Sequence, residues 1–130
     1  MKEIKDFPPN IEKIRERFRL VSNAVFTYGD TLYNPKGGFI DDALWAHEET
    51  HSRQQKKIGT EKWWGQYLKD PSFVLSQESE AYLNQYQFAK KTIKNREELS
   101  SFARRLAKDL SSSLYGNCVS FSEAYHLITK

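Results

Sequence analysis

The stretch DDALWAHEETHSRQQKKIG, residues 41–59, constrains the fold of this chain more than any other. Its two leading aspartates suit a helix start and the positive end of the helix dipole, and Gly59 suits its end. The expected helix begins at Asp41 or Asp42 and stops near Gly59. At about 100° per residue, His47 and His51 project from one face a turn apart, in line with Ile40, Leu44 and Ile58. The histidines thus lie on the side that turns toward a core. Buried polar groups left unpaired cost about 1–3 kcal/mol each, so a fold that buries this stripe must bring partners to both imidazoles. A shared metal ion would satisfy the two together; separate hydrogen bonds within the core are the alternative.

The remaining sequence supplies a core for that helix to face. The 130 residues are 38% apolar and 14% aromatic, enough for one globular domain over 1–130 and too few for two. After FPPN, with Asn10 as N-cap, IEKIRERFRLV carries Ile11, Ile14, Phe18 and Val21 at helical spacing. NAVFTYGDTLYNPKGG then turns to β-branched and aromatic residues around Gly29-Asp30, which predicts a hairpin over Ala24–Tyr33 and a short strand near Phe39. TEKWWGQYLKDP predicts a short helix ended by Pro71, with Trp63, Trp64 and Tyr67 as packing residues. A long helix with Val74, Leu75, Ala81, Tyr82 and Phe88 follows, then one with Leu99, Phe102, Leu106 and Leu110 ended by Gly116, then a tail helix in FSEAYHLITK. The class is α+β: a mainly helical single domain with a small antiparallel sheet or hairpin before the histidine-bearing helix.

Charge and composition narrow the partners. Lys and Arg number 20 against 17 Asp and Glu, and the surplus is spread along the chain, which gives no nucleic-acid footprint. No apolar run approaches the roughly 20 residues of a membrane span, and MKEIKDFPPN has no apolar signal region. Cys118 is the single cysteine, so no disulfide framework exists. The expectation is a soluble cytoplasmic protein with no membrane partner.

HExxH on one helix has a definite chemistry. Two imidazoles a turn apart can bind one ion, and Glu48, offset around the helix, can take a proton from water made acidic by that ion. A catalytic zinc needs a third protein ligand. His126 and Cys118 are the only other histidine and thiol, whereas SQESEAYLNQYQF offers Glu78 and Glu80. If Ala81 and Tyr82 face inward with Val74 and Leu75, Glu78 shares that face and Glu80 points away, as a solvated residue or a support for the ligands. Glu78 is the expected ligand. Arg53, Gln54 and Gln55 continue the first motif, with Arg53 either paired to a carboxylate near the metal or turned, with its neighbours, to solvent.

HEETH followed by ESEAY resembles the gluzincin zinc metallopeptidases, and in particular the small single-domain minigluzincins and small bacterial and phage proteins of the same pattern. FTYGDTLYNP, KWWGQYLKDPSF and LYGN extend the resemblance over most of the chain. It implies a zincin-like fold, one Zn2+ per chain on His47, His51 and Glu78, and Glu48 as general base and acid for hydrolysis of a peptide or protein substrate. It also implies that the strand before the metal helix pairs with an extended substrate. A donor for the substrate's carbonyl oxygen is required, with Tyr82, Tyr125 and His126 as candidates. Small relatives exist in latent, zymogen-like forms, so the tail, 111–130, is either a structural end piece or a cover for the cleft, with Asn117 and Cys118 beside the metal. Two rivals remain: a zinc-binding structural or interaction protein without activity, such as a phage component, and a metal-free helical interaction module.

Overall fold

The computed structural model describes residues 1–130 as one α+β domain. Three short strands, β1 (Lys2–Ile4), β2 (Phe26–Tyr28) and β3 (Thr31–Tyr33), accompany six helices: α1 (Ile11–Arg17), α2 (Asp42–Ile58), α3 (Thr60–Tyr67), α4 (Pro71–Thr92), α5 (Arg96–Leu110) and α6 (Phe121–Ile128). A 3-10 turn at Ser113–Tyr115 joins α5 to α6. No helix is long and apolar enough to cross a membrane.

The expected hairpin is β2–β3, antiparallel, with Phe26 opposite Tyr33 and Tyr28 opposite Thr31. Gly29 takes a positive φ of 65° at the first turn position, which a residue with a Cβ adopts at a cost. The sheet order is β1-β3-β2, and β1 runs parallel to β3, so the sheet is mixed where an antiparallel one was expected. All three β1 residues are exposed, and so short a strand carries no alternation to detect. The expected strand near Phe39 does not form. Instead Asn34 ties the loop down, donating to the Gly38 carbonyl at 2.8 Å and to Glu3 at 3.0 Å, and Phe39 stands 92% exposed.

The first helix stops at Arg17, short of the expected Val21. Phe18 turns extended and packs its ring 5.5 Å from Tyr67, and the chain beyond it crosses toward β2 with Val21 exposed. Pro71 ends no helix; it opens α4 at its first turn, where its missing N–H costs nothing, behind Asp70 as cap.

α2 is capped as expected, with Asp41 accepting from the Leu44 N–H at 2.8 Å. Its inward face differs from the predicted stripe. Ile58 is exposed, and the buried residues are Ala43, His47, Glu48, Thr50, His51, Gln54 and Gln55. Gln54 and Gln55 are therefore interior, while Arg53 is exposed and donates to the Thr50 hydroxyl at 3.2 Å. This polar face lies against α4, between two apolar clusters. One gathers Ile14, Phe26, Trp63, Trp64, Tyr67 and Val74; the other gathers Tyr82, Leu106, Ala107, Leu110, Ala124 and Ile128. Tyr115 packs against both.

Leu110 is fully buried in the second cluster, so Leu110→Ala is expected to lower unfolding free energy by about 2–5 kcal/mol in urea titrations. Phe39→Ser should stay within about 0.5 kcal/mol of the parent.

Candidate metal centre

Three buried side chains from two helices meet where α2 faces α4. His47 and His51 stand one turn apart with ring centroids 4.9 Å from each other. Their Nε2 atoms lie 3.1 and 3.2 Å from the two carboxylate oxygens of Glu78, His47 beside Oε1 and His51 beside Oε2. All three donor atoms fall within 4.8 Å of one another. Glu78 lies on the buried face of α4 with Ala81 and Tyr82, the placement expected from helical spacing.

The outer nitrogens of both rings are held as well. His47 Nδ1 is 2.9 Å from Gln85 Oε1, and His51 Nδ1 is 2.9 Å from Gln54 Oε1. The Gln54 amide has a fixed sense, because its nitrogen donates to the Gln77 carbonyl at 3.0 Å and to Glu80 at 2.7 Å. Its oxygen can only accept, so His51 donates from Nδ1 and presents Nε2 inward. Glu80 thus supports His51 through Gln54 and stays exposed.

Electrostatics bind the cluster together. Burial works against a charged His51, but the Glu78 carboxylate beside it overcomes this, with help from Glu48, and raises its pKa to about 9. Burial likewise disfavours a charged Glu78, and the two histidines more than reverse that, holding its carboxyl well below the usual range. Without metal, a protonated His51 and an ionised Glu78 form a buried ion pair. The donor set suits a divalent ion: two imidazole nitrogens and one carboxylate oxygen are zinc's preferred ligands in an open site, and neighbouring divalent metals accept the same set.

Glu48 adjoins this cluster without joining it. Thr27 of β2 donates from Oγ1 to Glu48 Oε1 at 2.9 Å, and Glu48 Oε2 stands 3.7 Å from His47 Nε2. A cavity of about 120 Å³ opens onto His47, Glu48, His51 and Glu78, walled mainly by apolar groups including Phe18, Trp63 and Leu114.

The remaining expected residues scatter. Tyr82 packs its ring edge-on 4.5 Å from His47, with its hydroxyl 3.1 Å from that of Tyr115. Tyr125 stacks on Phe121 and His126 is exposed; neither lines the cavity. Asn117 and Cys118 are exposed, and the Cys118 thiol donates to the Tyr115 carbonyl at 3.2 Å. The tail does reach the cavity, but through Leu114 and Tyr115. Beyond them α6 buries Ala124 and Ile128 against α4 and α5, because its one apolar face finds its partner there.

β2 is an edge strand, yet its outward groups are engaged. The Thr27 carbonyl accepts from Gln55 at 2.8 Å and Trp64 at 3.2 Å, the Gly29 N–H donates to Gln55 at 2.7 Å, and the Gly29 carbonyl accepts from Ser52 at 2.8 Å. Pairing of an extended substrate along Thr27–Gly29 is closed by these bonds.

Sequence reasoning missed Tyr67, which donates to Glu78 Oε2 at 2.6 Å, together with Thr27, Gln54, Gln85 and Tyr115. Gln85 was open to inference, since it lies seven residues after Glu78 and so on the same helical face. The others come from separate elements or from a face whose polarity read as solvent. No protein-family model, curated protein or solved structure matches this chain.

In a metal chelator, thermal stability is expected to fall as pH rises from 6.5 through about 9. His51 holds its proton more tightly folded than unfolded, so its contribution is complete below the unfolded value and lost above the folded one. Glu78→Gln should flatten this dependence, and a wild-type melting midpoint that stays level or rises over the window would contradict the pairing.

Proposed function

We propose that the protein is a zinc-dependent metallopeptidase in which His47, His51 and Glu78 hold one Zn2+ and Glu48 is the general base. The position of Glu48 carries this reading. A zinc that serves only the fold is closed by a fourth protein ligand and needs no carboxylate beside it. Here three donors converge, Thr27 anchors one Glu48 oxygen while the other stands 3.7 Å from His47 Nε2, and Glu48 lines the cavity.

A zinc ion bound there would supply the Lewis acidity that brings the pKa of water down toward about 7. The chain's own residues supply the rest. Glu48 takes a proton from the attacking water at its carboxylate and returns it to the leaving nitrogen. Between the Tyr82 and Tyr115 hydroxyls one proton is spent on their mutual hydrogen bond and the other stays free. Tyr115 lines the cavity, so its hydroxyl is assigned to the carbonyl oxygen of the substrate, with Tyr82 orienting it. The apolar walls exclude bulk water and strengthen these contacts. The substrate is a peptide or protein segment, and a cytoplasmic setting, where the exposed Cys118 thiol stays reduced, belongs to the same proposal.

The burial of the cluster supports a second reading, a zinc-binding structural or interaction protein without activity: His47 is 4% exposed and Glu78 3%. Two variants separate the readings. Purified wild-type protein should hold about one zinc per chain, lost in His47→Ala, and should cleave unstructured peptides followed by mass spectrometry. Glu48→Gln should keep the zinc and lose about 10²- to 10⁴-fold in rate. Zinc retained with no cleavage by wild type, or cleavage untouched by Glu48→Gln, would move the assignment to the structural protein. Tyr115→Phe is expected to lower kcat by about 10²- to 10³-fold.

A further inference from the structure

Tyr67 is the one residue outside the three donors that touches the shared carboxylate. Its hydroxyl donates to Glu78 Oε2 at 2.6 Å, the shortest hydrogen bond at the site. Tyr67 is the last residue of α3 and has little freedom. Its ring stacks on Trp63 at 4.7 Å with a 19° tilt, meets Trp64 at 5.3 Å and has Phe18 on another side at 5.5 Å. α3 is itself pinned to α4 one residue before Glu78, where the Trp63 indole donates to Gln77 Oε1 at 2.8 Å. The phenol is thus held on one chosen oxygen of the ligand.

The two oxygens of Glu78 are consequently unequal. Oε1 has only His47 Nε2 beside it, at 3.1 Å. Oε2 has His51 Nε2 at 3.2 Å and the phenol at 2.6 Å. A donor that close takes up one lone pair of Oε2, draws charge away from it and crowds approach to the other. We propose that Tyr67 is a positioning residue that restricts Glu78 to binding the metal through Oε1 alone. A carboxylate binding through both oxygens fills one more coordination position than one binding through a single oxygen, and a hydrolytic site needs that position for water or substrate. Tyr67 would keep it open with no charge of its own, since a phenol that donates a hydrogen bond is neutral.

This inference rests on the metal reading above, and Co2+ uptake tests both. Co2+ replaces zinc in such sites, and its visible absorption is strong in four-coordinate surroundings and weaker in five-coordinate ones. Tyr67→Phe keeps the ring stack and removes only the hydroxyl. The wild-type Co2+ protein is expected to give an intense four-coordinate spectrum. Tyr67→Phe should fold normally by circular dichroism, bind Co2+ about 10- to 100-fold more weakly and show a weaker, shifted band. An unchanged band in Tyr67→Phe overturns the role of Tyr67 even if affinity falls, because a purely structural hydrogen bond would lower affinity without changing coordination. Wild-type protein that takes up no Co2+ or Zn2+ overturns the metal reading as well.

Discussion

The carboxylate of Glu78, buried opposite two imidazoles, is the contact on which the rest of this structure depends. It is the only group that hydrogen-bonds both histidines, and it joins the two longest helices. Leaving one partner of a buried ion pair alone costs about 3–5 kcal/mol, so α2 and α4 cannot slide past each other without exposing or orphaning a charge. The register of the domain follows from that restriction. The apolar clusters on either side fill the space it defines, the first through α3 and the hairpin, the second through α5 and α6.

The groups in direct contact with the outer ring nitrogens and with Glu78 from outside the cluster are neutral. Amide oxygens of Gln54 and Gln85 hold the outer ring nitrogens, and a phenol holds Glu78. Glu48 and Glu78 are the only buried acids, so the centre carries two negative charges when both are ionised. A divalent cation would balance them, and that balance matters in an interior where net charge is poorly solvated. A carboxylate in place of either glutamine would add a charge that nothing nearby offsets.

The inner face of α2 looks, in sequence, like a surface. HEETHSRQQ has no large aliphatic residue, and helices of that composition are mostly solvated. Gln55 is nevertheless fully buried, with its amide bonded to the Thr27 carbonyl and the Gly29 N–H. It joins α2 to the hairpin, bringing Thr27 onto Glu48 and sealing part of the sheet edge. The same glutamine thus positions the proposed base and limits where a substrate backbone can pair.

The sequence by itself determined what is local and periodic. The start of α2 followed from Asp41 and its end from Gly59; the hairpin followed from Gly29-Asp30; and the i, i+4 histidines and the face shared by Glu78, Ala81 and Tyr82 followed from 3.6 residues per turn. Each depends on neighbours within a few residues. Tertiary structure alone decided which polar groups went inside, where the first helix ended, that Lys2–Ile4 became a strand, and that Tyr67 and Tyr115, rather than Tyr125 or His126, stand at the site. Those outcomes depend on partners far along the chain, 11 residues for Tyr67 and Glu78, 21 for Thr27 and Glu48, 33 for Tyr82 and Tyr115. A hydrogen bond between separate elements has no period, so it leaves no mark in the spacing of residues until the elements have packed.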